Sequence, residues 1–310
     1  DADAVAVFSR DTATGALTWK AQVRDGELGV DGIGGVTSLA ISPDGRHLYA
    51  GGASDQAIGV FAINLSTGLL TQTGVVRQGQ NGVNGLNGVA DLAFNAPGTT
   101  LFAAATTNRS LTAFRRNISS GALNHALSIE DGEPDQPVSL QRPNTLLVAD
   151  GSLFVGDAQG NRVSQLHYQD VDNVASFELM QELPQAATPQ ALVYVQDQAR
   201  LYVAVSGGLR LYSLLPESAR LLASYNTALS SILTAPAALL ASPDARHLYV
   251  ASANGVGAFL REVGSRCPLA GEGSLGTQQV DIAPNGSVEF TVQADIFANA
   301  AGQLVYSAGV

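Results

Sequence analysis

The sequence predicts an all-β fold, a β-propeller of four-stranded blades, and three observations predict it. First, a short apolar motif returns five times, as Leu48-Tyr49-Ala50, Leu101-Phe102-Ala103, Leu153-Phe154-Val155, Leu201-Tyr202-Val203 and Leu248-Tyr249-Val250, at steps of 53, 52, 48 and 47 residues. A fixed period of this length marks a repeat architecture. Second, each motif sits in the same order of four strand-like segments, a to d, joined by hairpin-length turns. Such a sheet, apolar on both faces, is buried by stacking sheets radially. Third, the composition favours strands and turns: 33 Gly among 310 residues, with Lys20 and Met180 the only Lys and Met.

Strands a and b are read from VTSLAISPDGRHLYA (36–50), which aligns with VADLAFNAPGTTLFA (89–103) and AALLASPDARHLYV (237–250). SPDG and SPDA place Pro where φ is near −65°, followed by Asp and a small residue, which is β-turn chemistry. Strands c follow at 57–63, 110–116, 162–168, 208–214 and 255–261, and a sixth copy, AVAVFSR (4–10), opens the chain. The turns DTATGAL (11–17), LSTGLL (65–70) and ISSGAL (118–123) lead into strands d, with Gly supplying the positive φ of a tight hairpin. Six c strands against five a–b pairs and five d strands leave the ring unbalanced, with c near both ends. The expected assembly has about six blades, or seven in a longer parent protein from which this chain is cut.

The propeller is assigned to residues 1–262. Residues 263–279 are Gly- and Ser-rich and read as a linker. In residues 280–310, Val288, Phe290 and Val292 alternate with Glu289 and Thr291, the pattern of a half-buried strand. Cys267 is the sole cysteine and lies in the linker, so no internal disulfide or thiolate cluster is expected. A formal charge of −11 disfavours nucleic acid and anionic lipid surfaces as partners. No 18-residue apolar run exists to insert into a membrane. No leader is legible at the start, so a secreted protein would have lost it or carry it upstream.

The repeats resemble the lactonase-like YVTN β-propeller repeats of bacterial proteins, through VFSRDTATGAL (7–17), RDGELGVDGIGGVTSLAISPDGRHLYAGG (24–52) and SPDARHLYVAS (242–252). VDIAPNGSVEFTV and GQLVYSAGV are similar to Ig-like modules of bacterial surface proteins. The resemblance implies a propeller followed by a partial β-sandwich, within a large secreted or surface-displayed protein.

Hydrolysis needs a base, an acid and an electrophilic group that converge. The four histidines do not supply them: His47 and His247 recur in register, and His125 and His167 fall in strands d and c. The d-to-a loops DGELGVDGIGG (25–35), QGQNGVNGLNG (78–88) and DGEPDQP (131–137) recur on one face. Asp25, Glu27 and Asp31 offer oxygen ligands there, and calcium is the metal such a set would take. The spacing is not that of an EF-hand, and the plainer reading is a solvated loop with no cofactor. In the b-to-c loops, Asn108-Arg109 and Asn161-Arg162 fall in matching positions with Asp55, Asp157 and Asn254 nearby in the alignment, and such arginines could grip a carboxylate or sugar acid. The expectation drawn from these features is a non-catalytic interaction or scaffold module, with adhesion as a role, that offers this loop face to a protein or glycan. The alternatives are a lactonase-like hydrolase with its site in the channel, and a subunit whose open blade a neighbouring chain completes.

Overall fold

A computed structural model describes residues 3–261 apart from 135, 185–187, 197–198 and 215–218. The chain divides into two units, residues 1–263 and 264–310. The linker, the Ig-like strands and Cys267 lie outside the described residues.

The described chain opens with a two-stranded sheet, β1 (Ala4–Arg10) and β2 (Leu17–Arg24). Four complete blades follow. Blade I comprises β3 (Val36–Ile41), β4 (His47–Gly52), β5 (Ala57–Ile63) and β6 (Leu70–Arg77). Blade II comprises β7 (Val89–Phe94), β8 (Thr100–Ala105), β9 (Ser110–Arg116) and β10 (Leu123–Glu130). Blade III comprises β11 (Pro143–Ala149), β12 (Ser152–Asp157), β13 (Arg162–Val171) and β14 (Val174–Pro184). Blade IV comprises β15 (Pro189–Val195), β16 (Arg200–Val205), β17 (Gly208–Leu214) and β18 (Ala219–Asn226). A three-stranded sheet, β19 (Pro236–Ala241), β20 (His247–Ser252) and β21 (Gly255–Leu260), completes the series. Every pairing is antiparallel and sequential, as hairpin-length connections require.

The a strands β3, β7, β11, β15 and β19 pack side by side and form the inner wall. The b strands sit one layer out, and β4, β8 and β12 are buried along their whole length. Neighbouring blades share an apolar layer. Tyr49 and Ile58 of blade I pack with Leu101, Ala103 and Phe114 of blade II, and Phe102 of blade II packs with Leu153 and Phe177 of blade III. This stacking covers the two apolar faces that no single blade can bury alone.

Each a strand carries a bulge after its first residue, seen as a register shift at Val36/Ser38, Val89/Asp91, Pro143/Thr145, Pro189/Ala191 and Pro236/Ala238. Bulges bend a strand and re-aim its side chains. Here they turn two bulged side chains along the wall: Thr37 Oγ1 donates to Val89 O at 2.6 Å and Asn144 Nδ2 to Pro189 O at 2.8 Å. The turns are built as their residues dictate. Asp11, Asn64 and Asn117 each accept two backbone N–H groups two and three residues on, closing the c–d hairpins with Gly15, Gly68 and Gly121 at positive φ.

Candidate active site on the loop face

The d–a loop, residues 25–35, runs from β2 to the inner strand β3, and the b–c loop of blade I lies against it. Asp25 Oδ1 accepts from Ile33 N at 3.1 Å, and Asp55 Oδ2 accepts from Gly34 N at 2.8 Å. Gln72, from β6, holds Asp31 by its backbone from both sides, donating to its carbonyl at 2.5 Å and accepting from its N–H at 3.0 Å. The result brings the Asp25, Asp31 and Asp55 carboxylates within 4.8 Å of one another. Arg77, at the end of β6, joins them: Nη2 lies 2.7 Å from Asp31 Oδ2, and Nη1 donates to the Asp55 carbonyl at 3.2 Å. Burial pushes the Asp25 carboxyl above its ordinary range. The Ile33 N–H opposes this, and the charge and hydrogen bonding of Asp55, then the charge of Asp31, add to it. A carboxyl with raised proton affinity beside a second carboxylate is a group poised to hold and release a proton.

The same framework recurs in the next two loops with different chemistry. In the second, Gln78 Oε1 accepts from Leu86 N at 2.8 Å and Asn108 Oδ1 from Asn87 N at 2.7 Å, so two neutral amides make the bonds that Asp25 and Asp55 make in the first. In the third, Asp131 accepts from Leu140 N at 3.0 Å and is paired with Arg109. Asp157, wholly buried, accepts from Gln141 N and Arg142 N at 3.0 and 2.9 Å and lies 3.6 Å from Arg162. The backbone work therefore requires an acceptor and not a charge. In the first loop the charges of Asp25 and Asp55 are additional to it.

Of the proposed metal set, Asp25 and Asp31 come together with Asp55, while Glu27 turns away to Arg24 at 3.4 Å. Three carboxylates supply part of the six to eight oxygens that calcium takes, and Arg77 already offsets the charge of Asp31. The proposed ligand-binding residues fall into two separate settings. Arg109 and Asn161 share a left-handed backbone, φ 55° and 52°, as does Gln56 at 53°. Asn161 thus corresponds to Arg109, and the sequence match of Asn108-Arg109 with Asn161-Arg162 is one residue out of register. Gly160 stands where Asn108 stands, and a Cβ there would collide with the Asp157 carboxylate that does the capping instead. Among the described residues, no hydrogen bond or ion pair joins Asn108 or Arg109 to Asp157, Asn161 or Arg162. Arg77 and Gln72 were missed, and Asp55, read only as a neighbour in the b-to-c loops, was not joined to Asp25 and Asp31. The signal for joining it was in the sequence: Asp25 and Asp55 both become amides, Gln78 and Asn108, one repeat later.

The inner wall is nearly neutral. Asp91 is the one Asp, Glu, His, Lys or Arg of the five a strands. Its carboxylate accepts from Ser38 Oγ at 2.8 Å, Leu92 N at 2.9 Å and Leu146 N at 2.8 Å, and also interacts with Thr145, so it pins three blades together. Burial raises its proton affinity against these bonds. With its acceptor sites filled, it has no room for a substrate proton. His47 is buried beneath Arg116, and His125 packs on Phe114 and bonds Ser128, so neither is free for catalysis.

The family described as lactonase, 7-bladed β-propeller, matches residues 1–136. The match bears out the resemblance to lactonase-like propeller repeats over the first part of the chain. That match overturns the expectation of a non-catalytic interaction module and favours the hydrolase alternative. It also spans Asp25, Asp31, Asp55 and Arg77. No curated protein matches the chain. Among solved structures, the periplasmic gluconolactonase of Pseudomonas aeruginosa is similar at 18 % identity and a TM-score of 0.65, over 84 % of this chain and 73 % of that one. A putative 6-phosphogluconolactonase from Bacteroides fragilis is similar at 17 % identity and 0.63, over 84 % and 73 %. Another from Bacteroides uniformis is similar at 15 % and 0.62, over 84 % and 75 %. At these identities the likeness concerns the fold.

Proposed function

We propose that this lactonase-type propeller hydrolyses an uncharged sugar lactone, with Asp25 and Asp55 as its acid–base pair. The observation that carries the reading is the surplus charge of the first loop: two facing carboxyls stand where the neighbouring repeat folds with amides. One carboxylate takes a proton as water adds to the lactone carbonyl. The ring C–O bond then breaks, and the proton passes to the departing ring oxygen, leaving the open hydroxy acid. Arg77, held by Asp31, supplies the positive charge that a developing oxyanion needs.

The substrate class follows from electrostatics. Three carboxylates against one guanidinium leave the site acidic, in a chain of formal charge −11. The a strands of the inner wall contain no Lys or Arg. A phosphorylated lactone would be repelled, so of the two lactone classes in the neighbours' names the uncharged one fits.

The test is hydrolysis of glucono-δ-lactone and of its 6-phosphate by the purified chain. The expected result is a higher kcat/KM for the uncharged lactone and a fall in kcat of about 100-fold or more in Asp25→Asn. Hydrolysis of neither lactone, or Asp25→Asn turning over at the wild-type rate, overturns the proposal.

A further inference from the structure

Two junctions between complete blades differ at their a–b turn end. Between blades I and II, the Arg116 guanidinium fills the space: its Nε donates to Tyr49 Oη at 3.0 Å, and its Nη2 reaches Asp44 Oδ2 at 2.9 Å and His47 Nδ1 at 2.8 Å. Between blades II and III, the ladder registers put Tyr168 where Arg116 stands and Thr100 where His47 stands. The turn alignment puts Pro97 where Asp44 stands. At this second junction lies a cavity of about 420 Å³, within the range of small-molecule sites. Its walls come from two complete four-stranded sheets.

Blade III departs from the repeat beside this cavity. Its c and d strands run 10 and 11 residues, against 7 and 8 in blades I and II. They end in a two-residue turn, Asp172-Asn173, with φ 52° and 66°. Extensions of single repeats gather on binding faces. This one carries Asp170 across to blade II, where Arg115 Nε and Nη2 donate to its carboxylate at 2.6 and 2.8 Å and Nη2 also donates to Asn173 O at 2.8 Å. Arg115 Nη1 makes no hydrogen bond among the described residues. On the other wall, Asn95 Oδ1 accepts from Thr99 N and Thr100 N, and Asn95 Nδ2 donates to Thr99 Oγ1 at 3.0 Å. The Thr99 hydroxyl therefore keeps its own proton to donate. Tyr168 packs edge-on against Phe102, with ring centroids 5.0 Å apart. Burial, and then the charge of Asp170, push its phenol up to about 12 against the pull of Arg115, so it stays protonated. Its hydroxyl lies 3.5 Å from Asp170 Oδ2, a long contact that a ligand hydroxyl can bridge.

We infer that this cavity seats a neutral sugar residue, held by Thr99, Arg115, Tyr168 and Asp170. The charges at the site cancel, Arg115 against Asp170 and Arg116 against Asp44. What remains is a fixed set of donors and acceptors, and the adjacent hydroxyls of a pyranose, each able to donate and accept, match it. An anion meets no net positive charge there, and an apolar ligand leaves these groups unpaired. The cavity lies at the opposite end of the strands from the loop face. The b strand β8 alone runs six residues from Thr100 to Ala105, so roughly 17 Å of strand separates the two. A sugar bound here leaves Asp25 and Asp55 open, and the inference does not depend on the lactonase reading.

Amide NMR of the full 310-residue chain, titrated with the methyl glycosides of glucose, galactose and mannose, tests it. The expected result is that at least one glycoside shifts the signals of Thr99, Arg115 and Tyr168 with roughly millimolar affinity, as befits a ligand of so few atoms, and leaves loop 25–35 unmoved. Tyr168→Phe, which keeps the ring against Phe102, and Asp170→Asn should each weaken binding about three- to tenfold, the effect of one lost hydrogen bond. Thr99→Val, at an exposed position, should do the same and guards against a local effect at the Asp170 hairpin. Tighter binding of the corresponding disaccharide supports the end of a glycan as the source of the residue, and equal binding supports a free sugar. No shift at these residues with any glycoside at tens of millimolar overturns the inference, as do shifts confined to loop 25–35 or unchanged affinity in Tyr168→Phe and Thr99→Val. So does binding of gluconate where the glycosides do not bind, which would make the cavity an anion site.

Discussion

In the loop from β2 to β3, the Ile33 and Gly34 N–H groups are held by the carboxylates of Asp25 and Asp55. In the loop from β6 to β7, the corresponding Leu86 and Asn87 N–H groups are held by the amides of Gln78 and Asn108, at equal or shorter distances. The backbone is the same, with glycines at positive φ in step: Gly26, Gly29, Gly32 and Gly35 in the first, Gly79, Gly82, Gly85 and Gly88 in the second. What differs is charge, and with it the ability to move a proton. Two facing carboxyls repel, and burial makes the charged form of Asp25 costlier still. A position that destabilises where a neutral side chain would serve is a position held for chemistry.

The sharpest break in this comparison is to make the first loop like the second. The double variant Asp25→Asn/Asp55→Asn retains an acceptor for Ile33 N and Gly34 N, so its thermal midpoint should equal or exceed that of the wild type. Its lactone turnover should fall by about 10²–10⁴, the range for loss of acid–base assistance. If turnover falls together with the midpoint, the carboxylates are structural after all and the contrast between the loops disappears.

The converse change is smaller and falls on stability alone. Asn108→Ala removes the acceptor of Asn87 N and should cost about 1–2 kcal/mol in chemical denaturation, the penalty for an unpaired, partly buried donor. Lactone turnover should be unaffected, since the second loop carries no carboxyl pair. A loss of turnover in a folded Asn108→Ala protein would move the site toward blade II.

Much of the architecture was legible in the sequence, because the repeat is carried by residues with strong local preferences. The apolar b motif, the Pro-Asp turns and the c-strand register at 57–63 and 110–116 all stand as read. The count of six c, five a–b and five d strands holds among the described residues. The site was less legible, because its groups meet across separations that local preference does not encode. Asp31 and Arg77 are 46 residues apart, and Asp91 joins Ser38 to Leu146 across two blade boundaries. The slip at Asn161 has a local cause. In blade III the capping carboxylate, Asp157, has moved from the loop to the end of strand b, and Gly160 vacates the usual place. Matching the letters Asn and Arg therefore aligned residues of different backbone conformation.

The smallest effect separates the two loops by pH. The carboxyl of Asp25 has a folded-state proton affinity above its ordinary value of 3.8, so the native state is favoured while it is protonated. Stability from this source is complete below about pH 3.8 and is lost as pH rises through the raised value. Asp25→Asn stays neutral throughout. Its thermal midpoint should therefore exceed that of the wild type by about 1–2 °C at pH 7, a modest gain because the group is only partly buried, and the difference should vanish near pH 3. Gln78→Asn, the matching shortening of an amide in the second loop, should shift the midpoint by the same amount at both pH values, because no proton is involved. A pH-independent difference for Asp25→Asn would mean that Asp25 ionises as freely in the fold as in water. That would remove the reason for assigning it the proton-holding role.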